Sequence, residues 1–467
     1  MFDLVRTSRV PLTDQIVDGF TTMIERRQLA EGTRLPSVRR LSRQLGVSAF
    51  TIVTAYDRLA AQGAIEPRAG TGFFVARRAA DTSLARIEAP PETPDTALSL
   101  ARAALDLGPI AVPAGAGYLP PEWMADGLPP PLVTKIARRE GGLLSPCPAP
   151  GLPALREQLV QRLQQNGIPA GIDNVAVTLG ATQAFDVIAR ALLAPGDAVV
   201  VEDPGYFILF AQLTRHGLKL LPVPRGPDGP DLEVLEETLR LHRPRAIFVQ
   251  TLLHNPTGST ISPAKCHRLL TLAERHDALI VEDDAYGDLA EPGALRLAQI
   301  DGLQRVLHVG SFTKTLSPGF RVGFVAASAG LVPRLVEEKL LSVLSAPALP
   351  EAVVAEALAT GRFRRHIAQL RRRLARARSQ AETALEEAGI RLDPDRGQGL
   401  FLWGRVPESI DVDRLVRSGR EAGILLAKGA LFSPSGRHSH HLRFNAVHAS
   451  NPALGRFLRA ELAQRAN

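Results

Sequence analysis

Lys314 is flanked by hydroxyls and followed by a fixed cation in the run Ser311-Phe312-Thr313-Lys314-Thr315-Leu316-Ser317-Pro318-Gly319-Phe320-Arg321-Val322-Gly323. A lysine amine condenses with an aldehyde only where its surroundings keep it from being an ordinary solvated ammonium. The hydroxyls of Ser311 and Thr313 and the guanidinium of Arg321 suit a phosphate held beside that amine, because arginine grips two oxygens at once. Pro318-Gly319 turns the chain between lysine and arginine. Gly180-Ala181-Thr182-Gln183 follows a strand-like run and opens a helical one, where free N–H groups and the helix dipole also favour a phosphate. Val281-Glu282-Asp283-Asp284-Ala285-Tyr286 ends another strand-like run in carboxylates.

The elements that must position these groups alternate. Strand-like runs at Val175–Val177, Ala198–Val201, Ala246–Gln250, Leu279–Val281, Val306–Val309 and Val322–Ala326 are separated by helical ones. Such alternation predicts an α/β domain on a largely parallel sheet, with ligand groups at strand ends. A helix is expected over Leu98–Leu107, and another over Gly361–Ala388 whose basic run Arg371-Arg372-Arg373 reads as a solvated face.

The Lys314 run resembles the cofactor-lysine segment of fold-type I pyridoxal-phosphate enzymes, the aspartate aminotransferase superfamily. That resemblance implies a cofactor, pyridoxal 5'-phosphate, joined to Lys314, with its phosphate near Ala181, Thr182, Ser311, Thr313 and Arg321. Tyr206, in Glu202-Asp203-Pro204-Gly205-Tyr206, matches the ring that stacks on the pyridine. Asn255, in His254-Asn255-Pro256-Thr257-Gly258, matches the asparagine that bonds the ring oxygen, and the same analogy suggests a cis Asn255–Pro256 bond. Asp283 stands three residues before Tyr286, the family spacing for the pyridinium carboxylate and the tyrosine at the ring oxygen, with Asp284 the competing candidate. Gln398-Gly399-Leu400-Phe401-Leu402-Trp403 and His441-Leu442-Arg443-Phe444-Asn445 resemble the smaller C-terminal subdomain, and Arg443 aligns with the arginine that grips a substrate α-carboxylate. Where many relatives have a tyrosine, supplying the partner subunit's phosphate contact, this chain reads Ser145-Pro146-Cys147-Pro148-Ala149-Pro150, so that contact is not carried over.

The N-terminal stretch is of another kind. Ile16, Phe20 and Ile24 repeat at helical spacing within Leu12–Arg27; Ser37 can cap a short helix that stops near Gly46, and Ser48 can cap a second from Ala49 to Gln62. Two short helices joined through Gly46-Val47 make a helix-turn-helix candidate, and Ala64–Val75 alternates into a hairpin with a glycine-rich tip. The pattern closely resembles the winged-helix DNA-binding domain of GntR-type regulators. It implies a second helix in the major groove and a wing beside it, with Arg39, Ser48, Thr51, Arg68 and Thr71 as candidate contacts to double-stranded DNA. Family members often carry arginine just after the capping serine; here Ala49 stands there, which puts the site preference in doubt.

The chain of 467 residues has room for two or three domains, and its 45% hydrophobic and 22% charged content is that of a soluble globular protein. No apolar run approaches the roughly 20 residues of a membrane span and no signal-like start is present, so a cytoplasmic location is expected. Cys147 and Cys266 are too few and too isolated for a disulfide framework or a metal cluster and are read as free thiols. A net charge of +7 permits a polyanionic partner without requiring one. Three prolines at 90, 91 and 94 mark a linker.

The expected organisation is a winged helix-turn-helix domain over 1–76, a linker over 77–96 and an α/β fold-type I aminotransferase-like domain over 97–467. This fusion resembles the MocR subfamily of GntR regulators. It implies a homodimeric transcriptional regulator that binds pyridoxal phosphate and senses an amino compound. The alternative is a working aminotransferase with an accessory DNA-binding module.

Overall fold

The computed structural model describes all residues except 1, 3, 7, 9, 77–95, 107, 139–145, 394–396 and 464–467. The chain divides into two compact units, each described by itself below. The expected linker falls almost wholly on 77–95 and so lies outside the described residues.

In the smaller unit, helix α1 (Leu12–Glu25) buries Ile16, Val17 and Phe20, the face its apolar spacing sets. Helix α2 (Val38–Leu45) begins at Ser37, whose side chain accepts from the Arg40 amide, and ends at Gly46 in the left-handed conformation that glycine adopts without penalty. Helix α3 (Ala49–Ala61) is capped by Ser48 and buries Ile52, Ala55, Tyr56 and Leu59 against α1 and α2. The Tyr56 hydroxyl donates to the Pro36 carbonyl at 2.8 Å, fixing α3 to the approach of α2. Strands β1 (Ile65–Arg68) and β2 (Gly72–Val75) form the antiparallel hairpin expected for a wing.

The larger unit is built on an eight-stranded sheet of order β3-β10-β9-β8-β7-β4-β5-β6. These strands are β3 (Val175–Thr178), β4 (Ala198–Asp203), β5 (Lys219–Gly226), β6 (Gly229–Pro230), β7 (Ala246–Val249), β8 (Leu279–Asp284), β9 (Val306–Ser311) and β10 (Gly323–Ala326). Strands β5, β4, β7, β8 and β9 pair in parallel, as the alternating pattern predicts. The sheet is nevertheless mixed, because β10 runs antiparallel to both β9 and β3. Between β9 and β10 the chain simply reverses through the Lys314 loop, and a parallel neighbour would need a crossover helix. Strand β5 was not expected: Pro222 and Pro224 hide it, and they are tolerated because only the two-residue β6 lies beyond it.

A second, antiparallel sheet of order β11-β12-β14-β13 contains β11 (Arg391–Leu392), β12 (Phe401–Arg405), β13 (Ala427–Lys428) and β14 (His441–Asn445). The helix expected over Leu98–Leu107 runs from Ala97 to Leu105, and Thr96 belongs to it as cap, bonded reciprocally with Ser99. The long helix Arg362–Glu387 forms as expected, but its basic run is solvated only in part. Arg371 is half-buried and donates from Nε to the Asp288 carbonyl at 3.0 Å, Arg373 pairs with Asp126 at 3.3 Å, and Arg372 is exposed. Helical spacing cannot show which neighbouring loops the face will meet. Cys147 and Cys266 are both buried free thiols. Among the described residues no helix is long and apolar enough to cross a membrane.

Candidate functional site

Five strands of the large sheet, β3, β4, β7, β8 and β9, deliver their carboxyl ends to one edge, each with a candidate residue just beyond. Gly180 follows β3, Tyr206 follows β4, Asn255 follows β7, Asp283 and Tyr286 stand at and after the end of β8, and Lys314 follows β9.

Lys314 donates from Nζ to the Gly117 carbonyl at 3.0 Å and lies 4.0 Å from the centre of the Tyr118 ring, with the Tyr286 ring centre at 5.8 Å. Burial, and then the nearby cations Arg443 and Arg321, lower its pKa to about 7, while Asp283 acts the other way. The amine is thus close to the half-neutral state that nucleophilic attack needs. Asp283 is buried and accepts from the Ala285 amide at 2.9 Å; burial raises its pKa to about 7, with Asp284 and Glu202 adding to the rise. Asp284, the competing candidate, is engaged elsewhere: Arg296 donates to it from Nε at 2.9 Å, and His308 lies 3.6 Å away. Successive side chains on a strand point to opposite faces, so only one of the two can face the lysine.

Ser311, Thr313 and Arg321 meet the start of the helix Gly180–Leu192. Arg321 reaches Thr313 Oγ1 at 3.3 Å from Nη1 and the Leu179 carbonyl at 3.0 Å from Nη2. The Thr313 amide donates to Ser311 Oγ at 3.2 Å. Gly180 has φ +79°, the left-handed region that favours glycine, and a Cβ there would also come within 2.9 Å of the end of the Arg321 side chain. The backbone of Ala181 and Thr182 lies in the first turn of the same helix. The Thr182 side chain is hydrogen-bonded to Tyr206, whose burial raises its pKa to about 12.

Arg443 is buried on β14. It donates from Nη1 to Asn255 Oδ1 at 2.8 Å and from Nη2 to the Gly115 carbonyl at 2.5 Å, and among the described residues no hydrogen-bond partner meets its Nε. Its guanidinium carbon lies 4.4 Å from the ring centre of Phe401 and 4.7 Å from that of Phe432, which suits a cation but gives it no counter-charge. Burial holds its pKa down to about 10. Asn255 is oriented by Gln250, which accepts its amide at 2.8 Å, and the Asn255–Pro256 bond is cis.

Several members of the site escaped the sequence reading. Tyr118, Gly117 and Gly115 lie far upstream of β3, the first strand of the larger unit, and Asn445 Nδ2 holds this stretch through the carbonyls of Ala116 and Tyr118 at 3.0 and 2.8 Å. A Gly-x-Gly-Tyr pattern was the only signal. Glu202 and Arg225 form a buried ion pair below Gln250, with Glu202 Oε2 accepting the Gln250 amide at 2.8 Å.

In the smaller unit Ser48 Oγ accepts the Thr51 amide at 3.1 Å and meets Thr51 Oγ1 at 2.8 Å, so both hydroxyls sit at the start of α3. Arg39 is exposed on α2. Arg68 is exposed at the hairpin but pairs with Glu66 at 2.6 Å and packs over Phe74 at 4.4 Å, and Thr71 Oγ1 donates to the Arg68 carbonyl at 3.0 Å. The exposed Phe50 beside the cap was not among the expected contacts.

The fold and this lysine-centred site define the larger unit as an aminotransferase class I and II domain, whose family model matches residues 118–459, and that family depends on pyridoxal phosphate. The model of bacterial regulatory proteins of the gntR family matches residues 12–75. The chain is 31% identical to YdcR of Escherichia coli (strain K12), described as an uncharacterized HTH-type transcriptional regulator, over 89% of this chain and 91% of that one. It is 30% identical to MocR of Rhizobium meliloti, a probable rhizopine catabolism regulatory protein, over 94% of this chain and 90% of that one. The structure of LysN, the α-aminoadipate aminotransferase of Thermus thermophilus, complexed with N-(5'-phosphopyridoxyl)-L-leucine, is similar with a TM-score of 0.71 and 28% identity, over 78% of this chain and 96% of that one. The chain belongs to the MocR subfamily of GntR-type transcriptional regulators, in which the aminotransferase-like domain is joined to a winged helix.

Proposed function

We propose that this regulator binds pyridoxal phosphate at Lys314 and reads an amino compound there to set its grip on duplex DNA. The observation that carries the reading is the convergence of a lysine with a pKa near 7, a buried carboxylate and an uncompensated arginine at one sheet edge. These residues fit a phosphate-bearing aldehyde: Gly180 leaves the space, and Arg321 with the first turn of the helix Gly180–Leu192 supplies donors.

When bound, pyridoxal phosphate supplies an electrophilic carbonyl and an electron-withdrawing ring. Ala181, Thr182, Ser311, Thr313 and Arg321 would hold its phosphate, Tyr206 would lie against the ring, Asn255 and Tyr286 would meet the ring oxygen, and Asp283 would keep its nitrogen protonated. Lys314 supplies the amine. Arg443 receives the carboxylate of the amino compound in place of its bonds to Asn255 and Gly115, which explains a guanidinium buried without a counter-ion.

In this reading residues 1–76 bind DNA, 77–96 link, and 97–467 sense, and the active form is a homodimer that spans paired half-sites. Arg39, Ser48, Thr51, Arg68 and Thr71 contact the duplex. The ligand shifts DNA binding by its differential affinity for two arrangements of the protein. The test is a screen of amines by absorbance of the cofactor-loaded protein, followed by operator titration and keto-acid assay of each hit. A hit that changes operator affinity with little turnover supports the regulator; rapid multiple turnover with unchanged DNA binding replaces it with an aminotransferase.

A further inference from the structure

The larger unit carries a second groove, of about 620 Å³, that shares no lining residue with the Lys314 site. Its walls come from the helix Pro153–Gln165, the segment 287–296 and the first turns of the helix Arg362–Glu387. Arg162, Arg296, Arg364, Arg365 and Arg371 line it, against the carboxylates of Asp288 and Glu291. Arg162 pairs with Asp288, and Arg296 with Asp284 at 2.9 Å. Arg364, Arg365 and Arg371 are left facing Glu291 as the one remaining carboxylate of the lining.

This positive charge is concentrated where it costs most. The long helix opens on Arg362-Phe363-Arg364-Arg365 with no acidic residue in its first turn, and its N-cap Gly361 has no side chain to satisfy the free N–H groups. Cations at the positive end of a helix repel it, and an anion there is stabilised twice, by the dipole and by the arginines. Burial, and then the nearby cations Arg296 and Arg371, lower the Arg162 pKa to about 10, with Asp284 acting the other way, which agrees with crowded cations.

The groove also touches the Lys314 loop. The Arg162 guanidinium lies 5.7 Å from the ring centre of Phe312 and 5.0 Å from that of Phe363. Asp288, its partner, accepts from Thr315 Oγ1 at 3.4 Å, and His366 Nε2 donates to the Thr315 carbonyl at 2.9 Å. Phe312 and Thr315 stand on either side of Lys314 in the chain. We propose that this groove is a second ligand site, taking the polyphosphate group of a small molecule, and that Arg162, Asp288 and Thr315 couple its occupancy to the Lys314 loop.

The test uses the full chain, incubated with pyridoxal phosphate, and inorganic tripolyphosphate as probe in calorimetric titrations at fixed ionic strength. Saturable binding is expected in the wild type, unchanged in Arg321→Gln and weakened at least tenfold in the double variant Arg364→Gln/Arg365→Gln, whose two side chains are exposed. Hydrogen exchange of the backbone over Ser311–Gly323 should slow with tripolyphosphate in the wild type and not in the double variant. Absence of saturable binding overturns the site, and so does loss in Arg321→Gln with retention in the double variant, which would place the probe beside Lys314. If the wild type takes no tripolyphosphate but the double variant loses affinity for random-sequence duplex, the groove is a track for a nucleic-acid backbone and the proposal falls. Unaltered exchange on saturation removes the coupling. The titration and the exchange are read without any colour from the cofactor, so failure of the Lys314 reading, seen as no absorbance change with pyridoxal phosphate, is told apart from failure of the groove.

Discussion

The Arg443 guanidinium donates to the Asn255 side chain at 2.8 Å, tying the small C-terminal sheet to the loop after β7. In the proposed reading an incoming carboxylate therefore competes with an existing bond, and Asn255 would be released as Arg443 is taken. Two hydrogen bonds from a cation to a carboxylate contribute together about 3 kcal/mol. Arg443→Gln should accordingly weaken an amino-acid ligand on the order of 100-fold while the cofactor still binds. Absorbance titrations of loaded wild type and variant check it; equal affinity for the amino acid removes Arg443 from the ligand site.

Lys314 should give a visible absorbance band on addition of pyridoxal phosphate, and Lys314→Ala should give none. Because its pKa is lowered to about 7, its modification by an acylating reagent should rise through neutral pH, whereas exposed lysines respond only near pH ~10. Peptide mapping of the label against pH measures this. A midpoint near that of the surface lysines would contradict the buried, cation-crowded setting.

Asp283 carries the opposite linkage. Its folded pKa of about 7 lies above the ordinary 3.8, so the folded state holds a proton that the unfolded state has lost between those values. Stability from this group is complete below the lower value and declines as pH rises through the upper one. Asp283→Asn in the cofactor-free protein should abolish that decline and gain up to a few kcal/mol at pH 7 relative to its difference at pH 4. Denaturant unfolding at several pH values decides it, and a constant difference would mean that Asp283 titrates normally.

Gly180→Ala should leave the fold of the sheet intact yet weaken cofactor capture at least tenfold. The new Cβ meets the Arg321 guanidinium at 2.9 Å, and φ +79° is unfavourable for any side chain. Equilibrium binding of pyridoxal phosphate, with circular dichroism as the folding control, tests it.

In the smaller unit Ser48→Ala removes the cap of α3 and should cost about 1 kcal/mol of its stability. Arg39→Gln should leave stability unchanged but reduce the slope of log affinity for duplex against log salt by about one, as loss of a phosphate contact does. Gel-shift titrations at several salt concentrations measure the slope; an unchanged value would take Arg39 off the duplex.

Much of this was legible in the sequence because short motifs carry both chemistry and backbone geometry. The run around Lys314, the Asp283 to Tyr286 spacing and the two capping serines each reappear in the element expected of them. What stayed hidden depends on long-range packing. The reversal of β10 is invisible because a strand's own residues do not state its partner's direction, and β5 is masked by its prolines. Tyr118 reaches Lys314 from almost two hundred positions upstream, and the pairing of Arg371 with the Asp288 carbonyl also joins the long helix to a distant loop. The bond from Arg296 to Asp284 likewise depends on packing that the sequence does not state.

The bonds from Lys314 to the Gly117 carbonyl and from Arg443 to the Gly115 carbonyl end on one short piece of main chain. In the reading proposed above, pyridoxal phosphate joined to Lys314 would take the first of these bonds and a ligand carboxylate at Arg443 the second. On that reading the stretch 115–117 is released in two steps, once by the cofactor and once by the ligand, and it lies ten residues beyond the end of the helix Ala97–Leu105.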